Sequence, residues 1–159
     1  MRIERPRKPE LDQQLVAAYA RTFIARHDRY PLQLPGGSYA TVRKQLHPAL
    51  IHAHLRGTVT LGAYALDHQS QAHWLCFDAD DDERWQDLRQ LAQTLSEQQV
   101  TAYLEASRRG GHLWLFTPRL PGHDIRRFGH QVLDAYHLEQ IELYPKQNRL
   151  TTGPGSLVR

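Results

Sequence analysis

The sequence predicts an α+β fold: a β-α-β-β-α-β core over about residues 72–144, preceded by a stretch that reads as two helices and a strand. Three observations predict it. Along 72–144 the hydrophobic period alternates between two and 3.6 in that order. The two helical stretches of the run each carry one apolar stripe, as helices laid on one face of a sheet do. The length, 159 residues with 40% hydrophobic and 23% charged, supports one full core and is short for two ordinary domains. No apolar run approaches the roughly 18 to 20 residues of a membrane span, and the composition is too apolar for a disordered chain. The start, MRIERPRKPE, has basic residues with no apolar stretch behind them, so it does not read as a secretory signal, and a cytoplasmic protein is expected. The lone cysteine, Cys76, offers no internal disulfide and no zinc motif. A formal charge of +3 suits an anionic partner without identifying one.

Taken in order, residues 10–28 place Leu15, Ala18, Tyr19, Phe23 and Ile24 at helical spacing, and LPGG at 34–37 breaks the pattern into a loop. The basic residues before it, Arg2, Arg5, Arg7 and Lys8, read as a tail. Residues 47–56 read as a short helix stopped by Gly57, and 58–65 (TVTLGAYA) as a strand. The polar turn DHQSQ at 67–71 then suggests a hairpin with a strand at 72–79. An amphipathic helix follows over 82–98, with Trp85, Leu88, Leu91, Ala92 and Leu95 on one stripe and acidic residues at its start. Strands at 100–106 and 112–117 flank the turn SRRGG. A second helix over about 124–137 carries Ile125, Phe128, Val132, Leu133 and Tyr136, and a strand at 140–144 completes the run. This is the split βαβ, ferredoxin-like order, with helices on one face.

In that topology side-chain alternation sorts each strand into two faces. Leu75, Phe77, Ala79, Val100, Ala102, Leu104, Leu113, Leu115, Ile141 and Leu143 face the helices. Trp74, Cys76, Asp78, Asp80, Tyr103, Glu105, His112, Trp114, Phe116, Glu142 and Tyr144 take the opposite face. The strand at 72–79 lies between those at 112–117 and 140–144 and runs antiparallel to both, so Asp78, Asp80, Glu142 and His112 are expected to meet at one end of that face.

Carboxylates at i and i+2 on a strand share a face with Cα atoms roughly 6.5 Å apart. A third on the neighbouring strand makes an oxygen-rich set suited to Mg²⁺ or Mn²⁺, and such sets serve metal-assisted phosphate chemistry. The competing reading of DADDDE is a solvated acidic helix start. Ser107, Arg108, Arg109 and the Gly-Gly turn before His112 supply a hydroxyl, two guanidiniums and free backbone, groups able to hold a triphosphate, although the same run also makes an ordinary hairpin turn. Trp74, Trp114, Phe116 and Tyr144 could stack bases or could pack beneath the N-terminal segment, and the latter is expected because that segment needs an apolar surface to cover.

These motifs resemble the archaeo-eukaryotic primase superfamily, especially the primase-polymerase catalytic cores of bacterial, phage and CRISPR- or conflict-system-associated type. The resemblance runs from about His54 to the C-terminus. HLRGTVTLGAY at 54–64 resembles the lead-in to the catalytic strand, and LCFDADDD at 75–82 the motif ending in DxD. EASRRGGHLWLF at 105–116 is similar to the histidine motif, and IELYPKQ at 141–147 to the motif carrying the last acidic residue. The resemblance implies that an RRM-like catalytic unit (72–159) and an N-terminal α/β unit (1–65) form one catalytic domain with a cleft between them. The chain stops at Arg159 where family members usually continue, which reads as a truncated or reduced core.

By the same resemblance Asp78, Asp80 and Glu142 would bind Mg²⁺ or Mn²⁺. His112 would hold the triphosphate, helped by Ser107, Arg108 and Arg109, with Lys146 and Arg159 as further phosphate contacts. The implied reaction is two-metal nucleotidyl transfer from a dNTP or NTP to a primer or first nucleotide on a single-stranded DNA template. Helicase or other CRISPR- or conflict-system proteins would be its partners, and no membrane is involved. The alternatives are a non-catalytic single-stranded nucleic-acid-binding module using the aromatic face, and a metal-dependent nuclease.

Overall fold

The computed structural model describes residues 13–159. The basic start, Arg2, Arg5, Arg7 and Lys8, and the first residues of the helix expected over 10–28 lie outside the described residues. Helix α1 (Gln13–Phe23) covers that stretch only as far as Phe23, and residues 24–28 follow it outside the helix. It is followed by two strands that the sequence reading does not anticipate, β1 (Tyr30–Gln33) and β2 (Tyr39–Val42), paired antiparallel. The LPGG run is therefore the turn of a hairpin rather than an open loop. It is closed by Leu34 N–H donating to the Ser38 carbonyl and Gly37 N–H to that of Leu34, both at 2.8 Å, with Gly37 at a positive φ of 83° that glycine adopts without strain. Helix α2 (Pro48–Leu55) starts with proline at its first turn, where no amide donor is lost, and the His47 ring caps it by accepting from Ala49 N–H.

Strand β3 (Ala63–Tyr64) is short and pairs antiparallel with the last strand, β8 (Leu157–Val158). This corrects the hairpin expected between 58–65 and 72–79. The 67–71 turn does reverse the chain, with the Asp67 carboxylate accepting from Gln69 and Gln71 N–H at 2.9 Å. Both edges of the next strand, however, are already taken, so β3 crosses its open face instead.

That next strand, β4 (Gln71–Ala79), begins the order read from the sequence: α3 (Asp82–Glu97), β5 (Tyr103–Ala106), β6 (Gly111–Pro121), α4 (Gly122–Ala135) and β7 (Glu142–Tyr144). The sheet order is β5-β6-β4-β7, and all its pairs are antiparallel. Strand β4 is thus flanked by β6 and β7 as the α+β topology requires. One face packs α3 and α4 in a core of Leu75, Phe77, Leu88, Leu91, Leu113, Ile125 and Leu133. Asp81 caps α3, its carboxylate accepting from Arg84 N–H at 2.9 Å.

Four apolar expectations fail. Leu104 is 44% exposed because β5 is the edge strand of the sheet, and Val100, 39% exposed, lies before β5 in the link from α3. Leu15 and Phe128 are also exposed, at the margins of their helical stripes.

On the other face Trp74, Cys76, Trp114 and Tyr144 are buried with Ala63, Ala65 and Val158, and Phe23 of α1 packs on them. The Phe23 ring meets Trp114 and Phe116 edge-on at 5.3 and 5.5 Å, and Trp74 Nε1–H donates to the Phe23 carbonyl at 3.2 Å. The aromatic row is therefore a second core, as the need to cover the N-terminal segment implied. A third cluster, around Val16, Ile24, Tyr30, Leu46, Ile51 and Leu61, holds α1, α2 and the hairpin together. Among the described residues no helix is long and apolar enough to cross a membrane.

Candidate active site

Where the aromatic cover stops, the open face turns polar. Sheet register sets Asp78 of β4 directly opposite His112 of β6 on one side and Glu142 of β7 on the other. Asp80 follows just beyond the end of β4, with the same parity and exposed to solvent. The His112 ring is buried, with Nε2 3.4 Å from Asp78 Oδ1 and Nδ1 3.0 Å from Glu105 Oε2. Glu105 lies opposite His112 on β5 and also accepts from Trp114 Nε1–H at 2.9 Å. The expected meeting of Asp78, His112 and Glu142 at one end of the sheet is thus a consequence of register.

The turn before His112 lies tight against this end. A side chain at Gly110 would strike the Ala79 carbonyl, and one at Gly111 would come within 2.6 Å of the Trp85 ring, so SRRGG can lie flat on the end of β4 only with glycine at both positions. Ser107 closes the turn, its N–H donating to the Gly110 carbonyl at 2.9 Å and its hydroxyl accepting from Gly110 N–H at 3.2 Å. Arg108 and Arg109 are exposed at the tip. Lys146 sits on the other flank, its Nζ 2.8 Å from Glu142 Oε2 and 4.8 Å from the Tyr144 ring centre. Arg159 is exposed, close enough for its charge to be felt at Glu142.

The charges perturb one another in a consistent pattern. Burial raises the Asp78 pKa; His112 opposes that, and the Asp80 and Glu142 charges add to it. Burial pushes His112 down, but the hydrogen bond to Glu105 and the charges of Asp78, Glu105 and Asp80 outweigh it, and the net shift is upward. Glu105 is held below the ordinary carboxylate value by its hydrogen bond to His112, with that from Trp114 assisting against burial. Glu142 is lowered by its hydrogen bond from Lys146, against a smaller opposing effect of burial, with Tyr144 and Arg159 contributing.

Among the described residues no three His, Cys, Asp or Glu side chains stand together closely enough to hold a metal ion. The donor chemistry still suits a hard divalent cation: Asp78, Asp80 and Glu142 offer only oxygen, and Asp78 is destabilised as an anion by the other two. Glu142 meanwhile satisfies itself with the Lys146 ammonium, a cation that a metal could displace.

Glu105 is the residue of this constellation that sequence reasoning did not put in the site, although it fell on the correct face. The signal was available: in a hairpin closed at Ala106 and Gly111, position 105 must oppose 112. Two clefts, of about 550 and 670 Å³, lie away from these residues. One is lined by α1 and α2 residues such as Val16, Ala20 and Ile51, the other by Arg26, Gln45, Asp67 and Arg119.

The chain matches the family described as TOTE conflict system, Archaeo-Eukaryotic Primase domain, over residues 14–159. No curated protein matches it.

Proposed function

The chain belongs to the TOTE conflict system family of archaeo-eukaryotic primase domains, within a superfamily of nucleotidyltransferases, and from that premise we propose that it is a metal-dependent primase-polymerase. Its substrates would be a deoxynucleoside or nucleoside triphosphate and the 3′-hydroxyl of a primer or first nucleotide on a single-stranded DNA template. The observation that carries the reading is the register that sets Asp78 between His112 and Glu142 at one end of the sheet.

Asp78, Asp80 and Glu142 would hold Mg²⁺ or Mn²⁺, which when bound supplies Lewis-acid stabilisation of the charge that develops during phosphoryl transfer. The rest falls to side chains. His112, whose pKa the carboxylates around it raise against the effect of burial, can as the imidazolium donate from Nε2 to a phosphate oxygen, a charge-assisted hydrogen bond aimed from a buried and therefore fixed ring. Arg108 and Arg109, exposed on a turn pinned by Gly110, can close on the same triphosphate from the other side. Ser107 closes that turn by accepting from Gly110 N–H, and its hydroxyl proton can still donate to a phosphate oxygen. Lys146 is placed to neutralise phosphate charge once Glu142 turns to a metal, and Arg159 lies on the same flank. The aromatic face is a poor stacking platform, because Trp74, Trp114 and Tyr144 are buried beneath other parts of the chain. That weighs against a pure nucleic-acid-binding module. Partners in the wider conflict system, a helicase among them, fit the family membership.

Calorimetric titration with a deoxynucleoside triphosphate and Mn²⁺ tests this reading. Binding by the wild type that disappears in Asp78→Ala/Asp80→Ala is expected. A folded wild type that binds no triphosphate, or a double variant that binds as well as the wild type, would overturn it.

A further inference from the structure

Glu105 stands on an exposed edge strand, yet its carboxylate is tied inward. Oε2 receives two hydrogen bonds, from Trp114 Nε1 at 2.9 Å and from His112 Nδ1 at 3.0 Å. An ionised carboxylate can only accept, so the proton of the second bond must sit on Nδ1. The donor of the first is itself immobile: the Trp114 indole is buried, set edge-on against Trp74 at 5.1 Å and Phe23 at 5.3 Å. A chain of fixed contacts thus runs from the aromatic core through Trp114 and Glu105 to His112, whose remaining nitrogen, Nε2, points to Asp78.

We propose that Glu105 is a positioning residue for the nucleotide: by accepting the Nδ1–H of His112 it fixes the tilt of the ring, so that in the doubly protonated imidazolium the Nε2–H is aimed at the triphosphate. The inference rests on the reading of His112 as a triphosphate contact given above. It gives a part in the site to β5, whose Glu105 opens the EASRRGGHLWLF stretch but is not among the residues to which the resemblance assigns a role. The logic is that of a carboxylate orienting a histidine whose other nitrogen does the work. Without Glu105, the ring keeps its place on β6 but can rotate about its side-chain bonds and exchange tautomers.

Glu105→Thr, Glu105→Gln and His112→Ala separate the alternatives. Glu105→Gln keeps an acceptor oxygen and is expected to melt close to the wild type, whereas Glu105→Thr leaves the buried Trp114 and His112 donors without their acceptor and is expected to melt lower while still folded; Glu105→Leu replaces Glu105→Thr should that variant fold poorly. Long-range proton–nitrogen spectra of the metal-free protein, recorded at a pH where the ring is neutral, are expected to show a single Nδ1–H form of His112 in the wild type. Glu105→Thr should give an Nε2–H or mixed form. Titration with a deoxynucleoside triphosphate and Mn²⁺ should show roughly tenfold or greater weakening in Glu105→Thr. Glu105→Gln, which keeps an acceptor oxygen, should recover most of the affinity. If His112→Ala loses the nucleotide while Glu105→Thr keeps both the wild-type tautomer and an affinity within twofold, Glu105 has no positioning role. Should His112→Ala bind as tightly as the wild type, the triphosphate reading of His112 falls, and this inference falls with it.

Discussion

The two flanks of Asp78 are built by different physics. On the β6 side, His112 is buried and hydrogen-bonded to Glu105, which is bonded in turn to the indole of Trp114. On the β7 side, Glu142 is exposed at the first residue of a three-residue edge strand, and its partner is a lysine four residues on, itself half exposed. The first flank is set by register and by buried donors that have no alternative partner. The second is an ion pair in solvent, worth about 0–1 kcal/mol in such settings. On the proposed reading, a site that would hold an anionic substrate and admit a cation would gain from this asymmetry, since one wall would stay fixed while the other exchanged its lysine for a metal.

The most damaging way to break the contrast is to remove the residue both flanks share. Asp78→Ala is expected to lower nucleotide transfer by on the order of 100-fold or more while leaving the fold intact, as read by turnover and circular dichroism. Next comes the backbone under the fixed flank: Gly110→Ala forces a side chain against the Ala79 carbonyl. It is expected to cost about 1–3 kcal/mol in chemical denaturation and to lower nucleotide affinity as the turn lifts.

Proton linkage sharpens the comparison. The Asp78 pKa is raised, so the folded protein holds that proton to higher pH than the unfolded chain does, and a divalent cation must displace it. The rise in melting temperature caused by Mn²⁺ is therefore expected to grow as pH increases from about 4 upward, from the ordinary carboxylate range through the Asp78 titration. In the metal-free protein His112 acts with the same sign as Asp78. With its folded pKa above the ordinary imidazole value, the stability it contributes is fully present below about pH 6.5 and is lost as pH rises through the folded pKa. Denaturation of the wild type and of His112→Gln across that range, where only the wild type should show the decline, checks the sign.

The smallest effect should come from the loose flank. Lys146→Met is expected to change stability by no more than about 1 kcal/mol and to tighten Mn²⁺ binding a few-fold, because the competing ammonium has gone. A loss of metal binding in that variant would mean that Lys146 holds Glu142 in place rather than occupying the place of a cation.

The contrast also marks what the sequence could reveal. Strand order and facing residues were legible because β4 and β6 alternate and α3 carries one apolar stripe; parity put Asp78, His112 and Glu142 on one face, and the antiparallel strand order brought them to one end. The hairpin of β1 and β2 was not legible: its strands are four residues each, too short for a period of two to stand out against a Pro-Gly-Gly break. The pairing of β3 with β8 joins segments some ninety residues apart, and no local pattern carries such a contact. Glu105 shows the middle case. Its face was readable, but its bond to His112 depends on the exact closure of the SRRGG turn, which Gly110 and Gly111 decide through contacts with Ala79 and Trp85.

The most direct measurement of the central claim is extension of an end-labelled primer on a single-stranded DNA template, with Mn²⁺ and nucleoside triphosphates, by the wild type and by Asp78→Asn, which keeps the shape of the side chain and removes its charge. Labelled strands are expected to be lengthened by the wild type and left unchanged by the variant. A wild type that shortens the strand, or equal extension by both proteins, would contradict that claim.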